Sequence, residues 1–337
     1  MSDLNIAVLG AGVVGLTTAV ELQKKFRNAN VEILADKFYL DTTSAVAAGL
    51  FRPGTGFIGP NQDVTRKWIA DSYHYWDDIR KTQEGPTAGI VEVSGYIFSS
   101  EHPQVVRNHY LEKLLPIYRR TTEQELQLCG GNWKYGCFFT TVVTQCTYYL
   151  PWVTNKFQST GGRIIDKKIN SFADVPRHYD VVVNCTGLGS KALCNDHQLI
   201  PMRGQVLKVA APWIKTFFYG DYDTYVIPGV DSVTLGGTRQ YESYDLTVNK
   251  YDSLSIKERC EKLVPSLKGA KLIAEKVGLR PHRTPVRVEK ELQNVNGRKL
   301  KVVHNYGHGG YGVTTAPGTS LYAVELVKEV LSGNSKL

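Results

Sequence analysis

Long apolar runs are missing from this sequence: no stretch approaches the roughly 18 residues of a membrane-spanning helix, which predicts a soluble chain with no membrane span. CxxC pairs are missing too. The six cysteines, Cys129, Cys137, Cys146, Cys185, Cys194 and Cys260, are scattered, which argues against a zinc site or redox pair and predicts reduced thiols in an intracellular protein without a metal. There is no internal repeat and no low-complexity tract, and 42% hydrophobic residues exclude disorder. No basic leader precedes the apolar run in MSDLNIAVLG, so that run reads as a buried strand and not as a signal peptide. Neither sign of charge gathers in one place. Lys plus Arg outnumber Asp plus Glu by 40 to 32, a net charge of +8, but pairs such as Lys24-Lys25 and Lys167-Lys168 read as solvated faces. Nucleic acid is therefore not expected as a partner. An anionic cofactor or substrate explains part of the excess more locally.

What is present starts with a turn. GAGVVG fills positions 10 to 15, between the apolar run Leu4 to Leu9 and a segment in which Leu16, Ala19, Val20 and Phe26 recur at helical spacing. Gly10, Gly12 and Gly15 stand where a tight turn and a close phosphate approach exclude a Cβ, and amides at the helix start can hold a pyrophosphate. Val31 to Leu34 closes a βαβ unit, and Asp36 follows it about 20 residues past the glycines, where a carboxylate can meet a ribose. A glycine-rich core turn is the plain alternative, but strand, helix and acid all agree with a dinucleotide site. NAD and FAD share this fingerprint.

Trp68, Tyr73 and Trp76 lie near helical spacing and predict a packed helix. From residue 89 to 225 short β-rich pieces dominate, which suggests a second region on an antiparallel or mixed sheet. The segment Asp180 to Gly187 reads as another buried strand of the first region, so the two regions interleave. Leu321, Val324, Val327 and Leu331 mark a closing amphipathic helix. DTTSAVAAGLFRP (41 to 53), NCTGLGS (184 to 190) and HNYGHGGYGVTT (304 to 315) are too rich in small residues for simple core and read as backbone approaching a ligand.

Taken in order, GAGVVGL, TTSAVAAGLFRP, YLPW, NCTGLGS, RGQVLKV, YVIPG, VTLGGTRQ, GLRPHR and HNYGHGGYG resemble the FAD-dependent D-amino-acid oxidase and D-aspartate oxidase family over most of the chain. The resemblance implies an α/β fold: a Rossmann-like FAD domain from residues 1–55, 145–195 and 281–337, interleaved with a smaller α+β substrate domain from 56–144 and 196–280. It implies noncovalent FAD held by Gly10, Gly12, Val13, Val14 and Gly15, by Asp36 and Lys37, and by Thr42, Thr43, Ser44, Gly49 and Leu50. Further contacts are implied at Ile169, at Cys185, Thr186 and Gly187, and along Gly309, Gly310, Tyr311, Gly312, Val313 and Thr314. The implied reaction is hydride loss from a D-amino acid to FAD, yielding 2-oxo acid, ammonia and, from dioxygen, hydrogen peroxide. No general acid or base is required, and His308 is expected to pack or position.

Arg280 is a planar fork suited to an α-carboxylate, and Tyr225 can add a hydroxyl. Taken alone, the two residues read better as a surface ion pair and an amphipathic core tyrosine; the resemblance reverses that order, matching them to the family's carboxylate anchors. Arg239, in GGTRQ, matches the aspartate-preferring branch, where a buried arginine would clamp a second carboxylate. Arg52 replaces the glutamine of the neutral branch, and two readings stay open: joining Arg239, or pointing outward as a salt-bridged loop residue. HNYGHGGYG looks closer to the neutral branch. Tyr222 is expected in a covering segment between Phe217 and Tyr225. The terminal Ser335-Lys336-Leu337 spells SKL, which predicts recognition by the peroxisomal import receptor and a place in the peroxisome matrix. Assembly into a homo-oligomer stays open.

Overall fold

A computed structural model describes residues 4–333; the SKL motif lies outside them. The strands, in chain order, are β1 Asn5–Leu9, β2 Asn30–Ala35, β3 Ile90–Ser99, β4 Tyr118–Arg120, β5 Tyr135–Thr144, β6 Arg163–Asp166, β7 Val181–Asn184, β8 Ile200–Ala210, β9 Phe217–Tyr219, β10 Tyr225–Pro228, β11 Val233–Gly236, β12 Gln240–Tyr241, β13 Lys271–Val295 and β14 Arg298–His308. The helices are α1 Val13–Lys25, α2 Gln62–Arg80, α3 Leu111–Leu114, α4 Cys146–Ser159, α5 Ser190–Leu193, α6 Lys250–Leu263 and α7 Gly312–Leu331.

The strands join in one 14-stranded mixed sheet, ordered β4-β5-β3-β9-β10-β11-β8-β13-β14-β7-β1-β2-β6, with β12 paired to β8. From β14 to β6 every neighbouring pair is parallel, so β14, β7, β1, β2 and β6 present their carboxyl ends along one edge. In β1 the alternation of side chains sends Ile6 and Val8 toward the core shared with α1 and α7, and Ala7 and Leu9 toward Phe172, Val175 and Tyr179. Burial on both faces is why this strand is a continuous apolar run.

The α/β class and the mixed sheet agree with the sequence. The antiparallel region is not a separate sheet, however. β13 pairs with β8 from Lys271 to His282 and with β14 from Arg287 to Val295, so one long strand carries hydrogen bonding from one half to the other. Trp68, Tyr73 and Trp76 are buried on α2, as their spacing predicts. Although α2 falls within 56–144, it packs on α7. The Trp76 Nε1 donates to the Thr314 carbonyl at 3.2 Å, and a Cβ on Gly318 would stand 2.0 Å from the Trp68 carbonyl oxygen. That missing side chain is what lets the two helices touch.

Candidate active site

Most of the expected cofactor residues gather on the carboxyl edge of the parallel strands. Gly10 follows β1 with φ +99°, and a Cβ there would lie 2.7 Å from the Cys185 carbonyl oxygen at the end of β7. A Cβ on Gly15 would lie 2.0 Å from the Gly10 carbonyl oxygen, so the turn closes only with both side chains absent. Gly12 caps α1 without a side-chain bond, and no acid stands in the first turn. One first-turn amide, that of Val13, donates to Ser44 Oγ at 3.1 Å. Val14 gives its carbonyl to Thr18 Oγ1 within the helix. Asp36 and Lys37 are exposed immediately beyond β2. Ile169 follows β6 and packs on the far-side core.

The segment 42–50 bridges this edge to the antiparallel half. Thr42 bonds back to Tyr39, Thr43 Oγ1 donates to the Leu279 carbonyl at 3.3 Å, and Gly49, with φ +78°, passes so close to Thr144 that no Cβ fits. Leu50 forms a bridge with Val143. Thr186, whose amide and hydroxyl both donate to Asn184 Oδ1, precedes Gly187 at φ +56°. The turn Gly309–Tyr311 leads into Gly312, Val313 and Thr314 at the start of α7, again without an acid in the first turn. His308 is buried behind this turn, 2.9 Å from Thr319 Oγ1. Burial pushes its pKa down to about 3, so it is neutral and suited to packing.

Arg280 lies on β13 where that strand still pairs with β8. Its Nη1 donates to the Thr238 carbonyl at 3.0 Å, and a Cβ on Gly204 would stand 2.1 Å from the same nitrogen. Gly310 approaches from the flavin-expected turn, 3.5 Å from Arg280 Cδ to its absent Cβ. Arg280 is half-buried and has no carboxylate partner among the described residues. A desolvated cation in that state favours an incoming anion. Tyr225 sits beside it across Gly236 and Gly237, where added Cβ atoms would meet the phenol at 1.9 and 2.7 Å. Burial raises the Tyr225 pKa and the Arg280 charge opposes that rise, so the hydroxyl stays a donor.

Arg52 faces inward. Its guanidinium lies 4.6 Å from the centre of the Tyr219 ring, and it too is half-buried without an ion pair among the described residues, unlike the salt-bridged loop reading. Tyr219 pairs directly with Tyr225 across β9 and β10, at 5.3 Å between ring centres. Tyr311 reaches the same region, its hydroxyl 2.5 Å from where a Gly54 Cβ would be. Arg239 is not buried: its side chain is 49% exposed and its Nη2 donates to Asp223 Oδ1 at 2.7 Å. Its position between β11 and β12, beside a surface turn, leaves one side open to water. Tyr222 is not brought to the cluster. It is 77% exposed and its hydroxyl donates to Glu101 at 3.1 Å.

Residues 5–326 match the family model described as FAD dependent oxidoreductase. The chain belongs to the FAD-dependent oxidoreductases. Within this family it is 41% identical to D-aspartate oxidase of Homo sapiens over 330 residues, 98% of this chain and 96% of that protein. It is 32% identical to a D-amino acid oxidase of Dugesia ryukyuensis over 334 residues, 97% and 98% of the two chains. The solved glycine oxidase of Geobacillus kaustophilus matches in fold with TM-score 0.79, covering 96% of this chain and 94% of that one at 18% identity.

FAD is therefore the cofactor of this FAD-dependent oxidoreductase, which resolves the choice that GAGVVG alone left open. The carboxyl edge fits it. A turn closed tightly by the missing side chains of Gly10 and Gly15, leading into a helix start with no acid in its first turn, is what a pyrophosphate needs. Two residues beside the expected substrate anchors escaped sequence reasoning. Tyr219 carries a usable signal, since period-two alternation from Phe217 puts it on the core-facing side of its strand. Asp223 carries none, because its pairing with Arg239 depends on the meeting of two loops.

Proposed function

We propose that this oxidoreductase oxidises acidic D-amino acids, D-aspartate and D-glutamate, to the 2-oxo acid and ammonia, with dioxygen reduced to hydrogen peroxide. The observation that carries this reading is the pair of half-buried guanidinium groups without carboxylate partners among the described residues, Arg280 and Arg52, beside Tyr225 and Tyr219. Arg239 lies near His282, whose pKa burial lowers and the Arg239 charge lowers further. Three cations gathered around Tyr219, Tyr225 and His282 suit a molecule with two carboxylates. The likeness to human D-aspartate oxidase supports the same reading.

In this account Arg280 and Tyr225 grip the α-carboxylate, and Arg239 and Arg52 receive the side-chain carboxylate. The chain then holds the neutral amine and the Cα hydrogen in one orientation, and orientation is the main service required of it. FAD, when bound, supplies the acceptor for two electrons, which dioxygen later collects. The imino acid that leaves takes up water and releases ammonia, so no side chain need act as a base. Gly10 to Gly15, Asp36, Lys37, the 42–50 segment, Ile169, Cys185 to Gly187 and Gly309 to Thr314 would hold the cofactor. The interleaved division into cofactor and substrate regions belongs to this proposal, as does peroxisomal import through SKL, which would bring the peroxide to catalase.

A second reading, oxidation of neutral D-amino acids, is favoured by the Asp223 carboxylate that already neutralises Arg239. Initial rates in a peroxide-coupled assay with D-aspartate, D-glutamate, D-alanine and D-methionine separate the two. Preference for D-alanine over D-aspartate overturns the acidic assignment.

A further inference from the structure

Asp223 stands on a turn with two consecutive residues, Tyr222 and Asp223, at φ +58° and +57°. Left-handed backbone is uncommon for residues other than glycine, and it persists only where the surroundings hold it. Here they do. The Asp223 carbonyl accepts the Gly237 amide at 2.7 Å, and Arg259 clamps both sides of the contact, donating to the Tyr222 carbonyl and, at 2.9 Å, to the Gly237 carbonyl. Gly237 is two residues from Arg239. The backbone thus fixes the distance between the turn carrying the carboxylate and the β11–β12 link carrying the guanidinium, and the ion pair needs no search by long side chains.

The pair itself is open to water, at 40% exposure for Asp223 and 49% for Arg239. A pair this exposed is weak and exchanges readily. Burial raises the pKa of the Tyr219 and Tyr225 hydroxyls, the two rings beside Arg52 and Arg280, and the Asp223 carboxylate adds to that rise in a small way. Arg280 and Arg52 have no such protein partner among the described residues. Among the described residues, only the most exposed of these three cations, Arg239, is therefore neutralised by a protein carboxylate.

We propose that Asp223 is a specificity-determining latch: it occupies Arg239 in place of a substrate carboxylate, and a dicarboxylate must displace it to bind. This rests on the acidic-substrate reading above. Displacement costs the dicarboxylate part of its affinity and leaves monocarboxylates untouched, so the latch narrows the gap between them. It also returns to Arg239 when product departs, which keeps a doubly charged product from being held.

The experiment is ligand binding to the FAD-loaded protein, read from the flavin absorption spectrum, with succinate and propionate as probes. Asp223→Asn and Asp223→Gly both tolerate the left-handed backbone and keep the carbonyl that Gly237 needs. The succinate Kd is expected to fall about two- to fivefold in both variants, the range an exposed ion pair supports, while the propionate Kd moves less. The gap between wild type and variant should shrink at high salt, which loss of a merely structural contact would not produce. An unchanged or raised succinate Kd, or equal tightening of both probes, overturns the latch. Wild-type preference for D-alanine over D-aspartate sinks the acidic reading instead. The two failures are told apart because one is read from variant binding and the other from wild-type turnover.

Discussion

The Arg52 guanidinium rests on the face of Tyr219, 4.6 Å from its ring centre, and that ring pairs across the sheet with Tyr225 beside Arg280. The ring therefore holds Arg52 at the pocket without spending its charge on a carboxylate. Replacing Arg52 by Gln should lower kcat/KM for D-aspartate about tenfold, the value of one charge-assisted contact, and lower that for D-alanine by less. Equal losses on both substrates would remove Arg52 from side-chain recognition.

As the proposed α-carboxylate anchor, Arg280 would serve any D-amino acid, whatever its side chain. Arg280→Lys keeps the charge but loses the fork, and kcat/KM should drop by about 100-fold or more for D-aspartate and D-alanine together. Tyr225→Phe, which removes one hydroxyl, should cost about tenfold. Normal D-alanine turnover in Arg280→Lys would show that the α-carboxylate binds elsewhere.

Arg239→Gln tests the second clamp. D-aspartate turnover should suffer far more than D-alanine turnover, measured as kcat/KM on each. The loss should be smaller than for Arg280, because half of the Arg239 side chain faces water and Asp223 already shares it.

Gly15→Ala forces a Cβ to within 2.0 Å of the Gly10 carbonyl oxygen, so the turn at the start of α1 must open. The purified variant should carry much less flavin, seen as lost yellow absorbance. Gly269→Ala, where nothing lies within 4 Å, is the control and should stay yellow.

Glu291 links the strand carrying Arg280 to the parallel half. His304 Nε2 donates to it at 2.8 Å and Arg287 at 3.0 Å, while Asn184 donates to the other ring nitrogen of His304. The His304 bond holds the Glu291 pKa near 2, below its ordinary 4.5. The folded state thus gains stability from the ionised carboxylate above about pH 4.5 and loses it as pH falls toward 2. Glu291→Gln should destabilise the protein at pH 7 by about 1–2 kcal/mol, after allowance for solvent screening of a carboxylate about one third exposed. The difference in melting temperature from wild type should shrink between pH 4.5 and 2. A constant difference across that window would mean that the carboxylate charge contributes nothing.

The parts of this protein that short-range physics governs are legible in its residues. An apolar run, a Cβ-free turn and a helical period place β1, α1 and β2 correctly because each depends on neighbours within about ten positions. The same holds for β7, whose VVVN is buried on both faces, and for α2, whose tryptophans recur on one side. Sequence order could not reveal that β13 crosses from β8 to β14, since that depends on which strands compete for its two edges. Nor could it place α2 on α7, which depends on the bare backbone of a glycine some 250 residues away from Trp68.

Residue chemistry by itself determined that this chain holds a dinucleotide, because glycines at a strand-to-helix turn followed by an acid have few other uses; for the arginines it left a bland reading open. Only the folded chain decided which arginine is spoken for. Arg52, Arg239 and Arg280 carry the same charge, but a ring, a carboxylate and a bare strand lie beside them respectively. Charge is a local property of a side chain, whereas desolvation and pairing are set by whatever the rest of the molecule brings within a few ångströms.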